Sequence, residues 1–122
     1  MYDMYYIDPE YAAYAVVNTN TGKATKLYKS IESVDGKLFL VTDFNGNKGY
    51  INSSGKELAM GYSDAGKFIG DYSYVCKNGQ YYIVDRDLDI VAEVNGTKVC
   101  VLGSNRFSCV RGNKVYLFKV NE

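Results

Sequence analysis

The feature that most constrains this chain is a turn–strand–turn unit at residues 45–58, Asn-Gly-Asn-Lys-Gly-Tyr-Ile-Asn-Ser-Ser-Gly-Lys-Glu-Leu. The unit returns along the chain at a period of roughly 34 residues. Asn45-Gly46 tolerates the positive φ that a tight antiparallel turn demands, and opens a short strand over residues 49–52. Ser53-Ser54-Gly55 makes a second turn and sends the chain back through Lys56 to Leu58. A period of roughly 34 would by itself suit helical hairpin repeats. Turns this closely spaced, with tyrosine, valine and isoleucine between them, leave no length for helices.

Sliding the sequence along itself aligns Asp3-Met4-Tyr5-Tyr6-Ile7, Lys37-Leu38-Phe39-Leu40-Val41, Asp71-Tyr72-Ser73-Tyr74-Val75 and Asn105-Arg106-Phe107-Ser108-Cys109. β-forming residues fill each segment and turn residues bound it, so each reads as a strand, here strand a. Ile7, Val41, Val75 and Cys109 share one column. Strand b follows as Val16-Val17-Asn18, Tyr50-Ile51-Asn52, Ile83-Val84-Asp85 and Leu117-Phe118-Lys119, with one residue lost at the Asn78-Gly79 turn. The first unit carries Asp8-Pro9-Glu10 at its a–b turn, where proline is acceptable because it need not donate to a ladder.

Strand c covers residues 24–28, 57–60 and 90–94. Residues 28–36 and 62–70 align as connectors, in which Tyr28/Tyr62, Ile31/Ala65 and Val34/Phe68 hold columns that plug the space between units. The third unit carries a hairpin in that place, Val94-Asn95-Gly96-Thr97 running into residues 98–102. No single unit can bury its own apolar face, so neighbouring units share a core.

The expected fold is therefore all-β. It is an antiparallel meander of about ten short strands, in three and a half units of about 34 residues, curled or barrel-like. The chain of 122 residues reads as one β-repeat domain, with units at about 3–36, 37–70, 71–103 and 104–122. Three and a half such units are few for a propeller.

Gly46-Asn47-Lys48-Gly49-Tyr50-Ile51-Asn52-Ser53-Ser54-Gly55-Lys56, followed by Tyr62-Ser63-Asp64-Ala65 and Phe68, resembles the bacterial WG (KWG) repeat. That pattern runs Gly-Lys-Trp-Gly-Tyr-Ile-Asp-x-x-Gly-Lys, then Tyr-Asp, then Phe. Gly79-Gln80-Tyr81-Tyr82-Ile83-Val84-Asp85 is similar to a second copy, and the resemblance covers about residues 37–94. The signature tryptophan is replaced by Lys48, Tyr81 and Val115, and its glycine is kept only as Gly49, with Tyr82 and Tyr116 at the other copies. The resemblance implies a binding or scaffold role and no reaction.

Composition removes most catalytic classes. Without histidine the commonest general base and metal ligand is missing. Cys76, Cys100 and Cys109 show neither Cys-x-x-Cys spacing nor an even count, and are expected to be core or half-buried thiols. Asp85-x-Asp87-x-Asp89 has Ile90 and Gly96 where a calcium loop needs glycine and glutamate, so it reads as a solvated turn. Glu32, Glu57 and Asp64 sit near turns, but nothing in their spacing selects them as a catalytic pair. No enzyme activity, metal or cofactor is expected. No signal peptide and no membrane-length apolar run is visible, which points to a cytoplasmic protein.

Fourteen acidic and fourteen basic residues cancel, yet the charge is uneven. Asp3, Asp8 and Glu10 stand unopposed in residues 1–22, whereas Lys98, Arg106, Arg111, Lys114 and Lys119 face only Glu122 at the other end. Arg106, Arg111, Lys114 and Lys119, interleaved with Phe107, Tyr116 and Phe118, outline a face for single-stranded nucleic acid. The plainer reading favours aromatics turned inward and cations guarding an edge strand, which makes a nucleic-acid partner the weaker expectation.

Tyr2, Tyr5, Tyr6, Tyr11 and Tyr14 crowd the start of the chain, and tyrosine suits protein interfaces as well as small cores. The expected function is non-catalytic binding of another protein through this aromatic face, as an inhibitor or adaptor. A phage-borne blocker of a bacterial defence enzyme would be an example. An extended partner segment could also add a strand at an open edge of the array. The alternative from another class is a glycan-binding module stacking sugar on Tyr5, Tyr11 or Tyr14.

Overall fold

The computed structural model describes residues 2–8 as backbone and residues 13–32 and 37–121 in full. The chain divides into two compact units, Met1–Gly61 and Tyr62–Glu122. Among the described residues every regular element is a strand, every pairing is antiparallel, and no helix is long and apolar enough to cross a membrane. The all-β antiparallel reading holds.

In the first unit β1 (Tyr2–Asp8) pairs with β2 (Ala13–Asn18). A second sheet has the order β3 (Ser30–Glu32), β4 (Leu38–Thr42), β5 (Lys48–Asn52) and β6 (Glu57–Tyr62). In the second unit β7 (Asp64–Ala65), β8 (Tyr72–Lys77), β9 (Gln80–Asp85) and β10 (Ile90–Val94) form a sheet of that same order. β11 (Thr97–Val101), β12 (Arg106–Arg111) and β13 (Lys114–Lys119) form a three-stranded sheet. The described strands thus fall into separate sheets and close into no barrel. One break comes at the end of β6, where Gly61 with φ +96° takes a left-handed conformation and turns the chain toward β7.

The repeat columns reappear as ladder register. Leu38 faces Asn52, Tyr72 faces Asp85 and Arg106 faces Lys119, and these are one pair three times over. Val41, Val75 and Cys109 are all buried and face Gly49, Tyr82 and Tyr116. In the first hairpin Tyr2 faces Asn18, so the pairing is slid by two residues relative to the later copies. An even slip keeps each side chain on its own face of the sheet. A bulge between Tyr6 and Asp8 accompanies it; Pro9 and Glu10 lie outside the described residues.

The connectors are themselves strands. β3 and β7 each pair with the strand a that follows them. Ile31, Ala65 and Phe68 are buried as expected of plugs; Val34 lies outside the described residues. The expected hairpin of residues 94–102 is not formed, because β11 pairs forward with β12 and not back with β10. Short segments such as Asp64–Ala65 carry no alternation from which a strand can be read.

Each unit has its own core. In the first, Val16, Tyr28, Ile31, Phe39, Val41 and Ile51 pack together with Tyr14 and Met60 against them. In the second, Ile83, Val94, Val99, Phe107 and Cys109 form the centre, lined by Tyr72, Tyr74, Tyr81 and Phe118.

One turn design recurs three times. At Asp43, Asn52 and Asp85 the side-chain Oδ1 accepts the backbone N–H groups two and four residues on, at 2.9–3.0 Å. The third residue after each is left-handed: Gly46 (φ +88°), Gly55 (φ +85°) and Leu88 (φ +66°). Asn18 caps the first unit's b–c turn similarly, accepting from Asn20 and Thr21. A short acceptor side chain at this place mimics a backbone turn and fixes the loop.

Candidate functional site

The sequence-predicted residues separate into three groups. The side chains of Tyr2, Tyr5 and Tyr6, and all of Tyr11, lie outside the described residues. Tyr14 is half-buried, packs on the first core and exchanges backbone hydrogen bonds with Tyr28. Arg106, Arg111, Lys114 and Lys119 are all exposed, and register brings them together as two opposed pairs, Arg106 with Lys119 and Arg111 with Lys114.

The carboxylates serve the fold. Glu57 accepts from the Tyr28 hydroxyl at 2.9 Å and meets Lys26 at 2.9 Å. These two hydrogen bonds, Lys26 first, hold Glu57 below its ordinary carboxylate value. Burial, with Glu57 beside it, pushes the Tyr28 hydroxyl well above the ordinary tyrosine value. In the second unit the Tyr81 hydroxyl donates to Asp64 at 2.9 Å and is raised in the same way, burial first and Asp64 second. Each acid is thus taken up by a tyrosine, and for Glu57 the nearby Asp43 carboxylate opposes the lowering.

The carboxylate oxygens of Asp85, Asp87 and Asp89 approach within 4.8 Å of one another. Asp85 spends its Oδ1 on the turn, in the same hydrogen-bond pattern as the loops at Asp43 and Asn52. Cys76 and Cys109 are buried as core thiols, whereas Cys100 is exposed, contrary to expectation. It sits on β11, in the ladder opposite Ser108.

What stands out is β13. The sheets β3–β6 and β7–β10 cover strand b with strand c, so β5 lies under β6 and β9 under β10. Among the described residues nothing covers β13, the strand b of the last sheet. The consequence is visible in one repeat column. Tyr50 and Ile83 are 0% exposed, and their counterpart Leu117 is 74% exposed. Val115 is 68% exposed beside it. A groove of about 400 Å³ runs between Leu102, Arg106, Phe107, Leu117, Phe118 and Lys119.

The aromatic rings of this hairpin are engaged. Phe118 stacks on buried Phe107, with centroids 5.7 Å apart, and the Arg111 guanidinium lies 4.3 Å over the Tyr116 ring. Phe107 is buried and Phe118 half-buried, whereas Tyr116 is exposed, and Arg111 donates to the Asn95 carbonyl at 2.7 Å. Sequence reasoning missed Leu117, because its column, with Val16, Tyr50 and Ile83, is apolar in every unit and reads as core. Val115 shares its column with Lys48 and Tyr81 and carried no such signal.

No protein-family model and no curated protein matches the chain. Among solved structures the fold is similar to the crystal structure of BamB from Moraxella catarrhalis, at a TM-score of 0.48 and 18% identity. That match covers 88% of this chain and 37% of the BamB chain, so this chain spans well under half of it.

Proposed function

We propose that the chain is a non-catalytic protein-binding module whose docking surface is the open edge and outer face of the β11–β13 sheet. The observation that carries this reading is Leu117, solvent-exposed at a position buried in the two preceding copies. An apolar strand left in water between flanking cations is a surface that a protein partner stabilises. An inhibitor or adaptor role, such as blocking a bacterial defence enzyme on behalf of a phage, is the finer form of this proposal. The resemblance to a binding repeat favours the same class.

The test is site-specific cross-linking in bacterial lysate, with a photoreactive phenylalanine analogue at position 117 and, as control, at exposed position 21. A discrete protein adduct from position 117 and none from position 21 is expected. No adduct from position 117, or one with nucleic acid, contradicts the proposal. A single-strand binder would instead need aromatic faces open to bases. Here Phe118 is stacked on Phe107, and the Arg111 guanidinium takes one face of the otherwise exposed Tyr116 ring.

A further inference from the structure

Resting on that reading of the β13 edge, we infer that its ligand is an extended peptide segment, apolar and bearing a carboxylate, that adds as a fourth strand in the register β10 holds on β9. The complete β7–β10 sheet is the template. There β10, Ile-Val-Ala-Glu-Val, places Glu93 opposite Tyr82 and Val94 opposite Tyr81. The repeat puts Tyr116 and Val115 at those two positions. A glutamate entering opposite Tyr116 meets Arg111, already lying over that ring.

The strand in the same place on β5 has similar chemistry: β6 is Glu-Leu-Ala-Met-Gly-Tyr. Both natural occupants are therefore apolar strands with one glutamate. β12 and β13 hold no acidic residue, and their cations sit at both ends of the hairpin. A carboxylate entering opposite Tyr116 relieves the like-charge pair of Arg111 and Lys114 at that end of the ladder.

The backbone supplies the second half of the site. The Val120 N–H donates to the Asn105 carbonyl at 2.8 Å, toward the β12 side. Antiparallel alternation then turns the N–H groups of Tyr116 and Phe118 to β12, and those of Val115, Leu117 and Lys119 outward. In the template the counterpart of Lys119 is Asp85, whose N–H donates to the Asp89 carbonyl at 3.0 Å. β13 thus offers a ladder of donors and acceptors in the geometry that strand addition uses.

The experiment uses the full chain, isotopically labelled, and a synthetic peptide copying residues 87–94. Saturable shifts on β13 are expected, with amide exchange of Val115, Leu117 and Lys119 slowed about tenfold or more at saturation. A peptide carrying Glu93→Lys should bind about tenfold more weakly, and the difference should shrink with salt. N-methylation of one alternate set of peptide amides should abolish binding and of the other set leave it. In the protein, Leu117→Pro should abolish binding, because proline removes an outward N–H and spares the β12 ladder.

Absence of shifts at millimolar peptide overturns the inference, as does equal loss from both N-methylated sets or indifference to Glu93→Lys. Protection of the same three amides by self-association without peptide overturns it in favour of a second copy. If cross-linking at position 117 succeeds while the peptide fails, the binding surface stands and the strand-addition chemistry falls.

Discussion

At the scale of single residues, the side chain that opens each b–c turn carries much of the local order. Asn52 Oδ1 takes the N–H groups of Ser54 and Lys56 at 3.0 and 2.9 Å, and Asp85 does the same for Asp87 and Asp89. Asn52→Ala should cost about 1–2 kcal/mol in equilibrium denaturation, from lost acceptors at a fixed turn. Asn52→Asp should stay within about 0.5 kcal/mol, since a carboxylate fills the same role at Asp85. Equal losses from both substitutions would contradict the role assigned to Oδ1. The turns themselves were legible beforehand, from Asn45-Gly46 and Ser53-Ser54-Gly55, though the acceptor role of Asn52 was not. What Asp85-x-Asp87-x-Asp89 shared with Asn52 was not, since Leu88 stands where the other loops have glycine.

At the scale of strands, one glycine and one hydroxyl mark how neighbours meet. A Cβ on Gly49 would overlap the Ala59 carbonyl oxygen and Met60 of β6, so that crossing admits no side chain. Gly49→Ala should therefore destabilise the first unit by about 1–3 kcal/mol, read by chemical denaturation. A neutral effect would mean that β6 does not approach β5 this closely.

The Tyr28–Glu57 bond ties β6 to the segment before β3, and its titration gives a pH signature. Tyr28 is raised in the fold, so its contribution is complete below the ordinary tyrosine value of about 10 and drains as pH climbs above it. Glu57 is lowered, so its contribution is present above the ordinary carboxylate value and is lost as pH falls through the folded one. Denaturation midpoints should fall on both flanks, and Tyr28→Phe should flatten the alkaline one. An unchanged alkaline slope in that variant would contradict the assignment. The pairing of strands a and b was readable from the repeat columns; β3 and β7 were not, being short and lying where connectors were expected. β11 was read as a hairpin arm but given β10 as its partner in place of β12.

At the scale of the whole chain, repetition dictates both what is buried and what is left open. Columns such as Val41, Val75 and Cys109 are buried wherever they are described, because each copy presents the same face to a core. Exposure at Leu117 is a property of its sheet's order and not of the residue, which is why composition and periodicity alone could not single it out. The most direct test is residue-resolved amide exchange on the free protein. Val115, Leu117 and Lys119 should exchange faster than their counterparts Tyr81, Ile83 and Asp85, by about tenfold or more, while Tyr116 and Phe118 stay protected. Equal protection of the two trios would mean that β13 is covered, and the account of an open binding edge would be wrong.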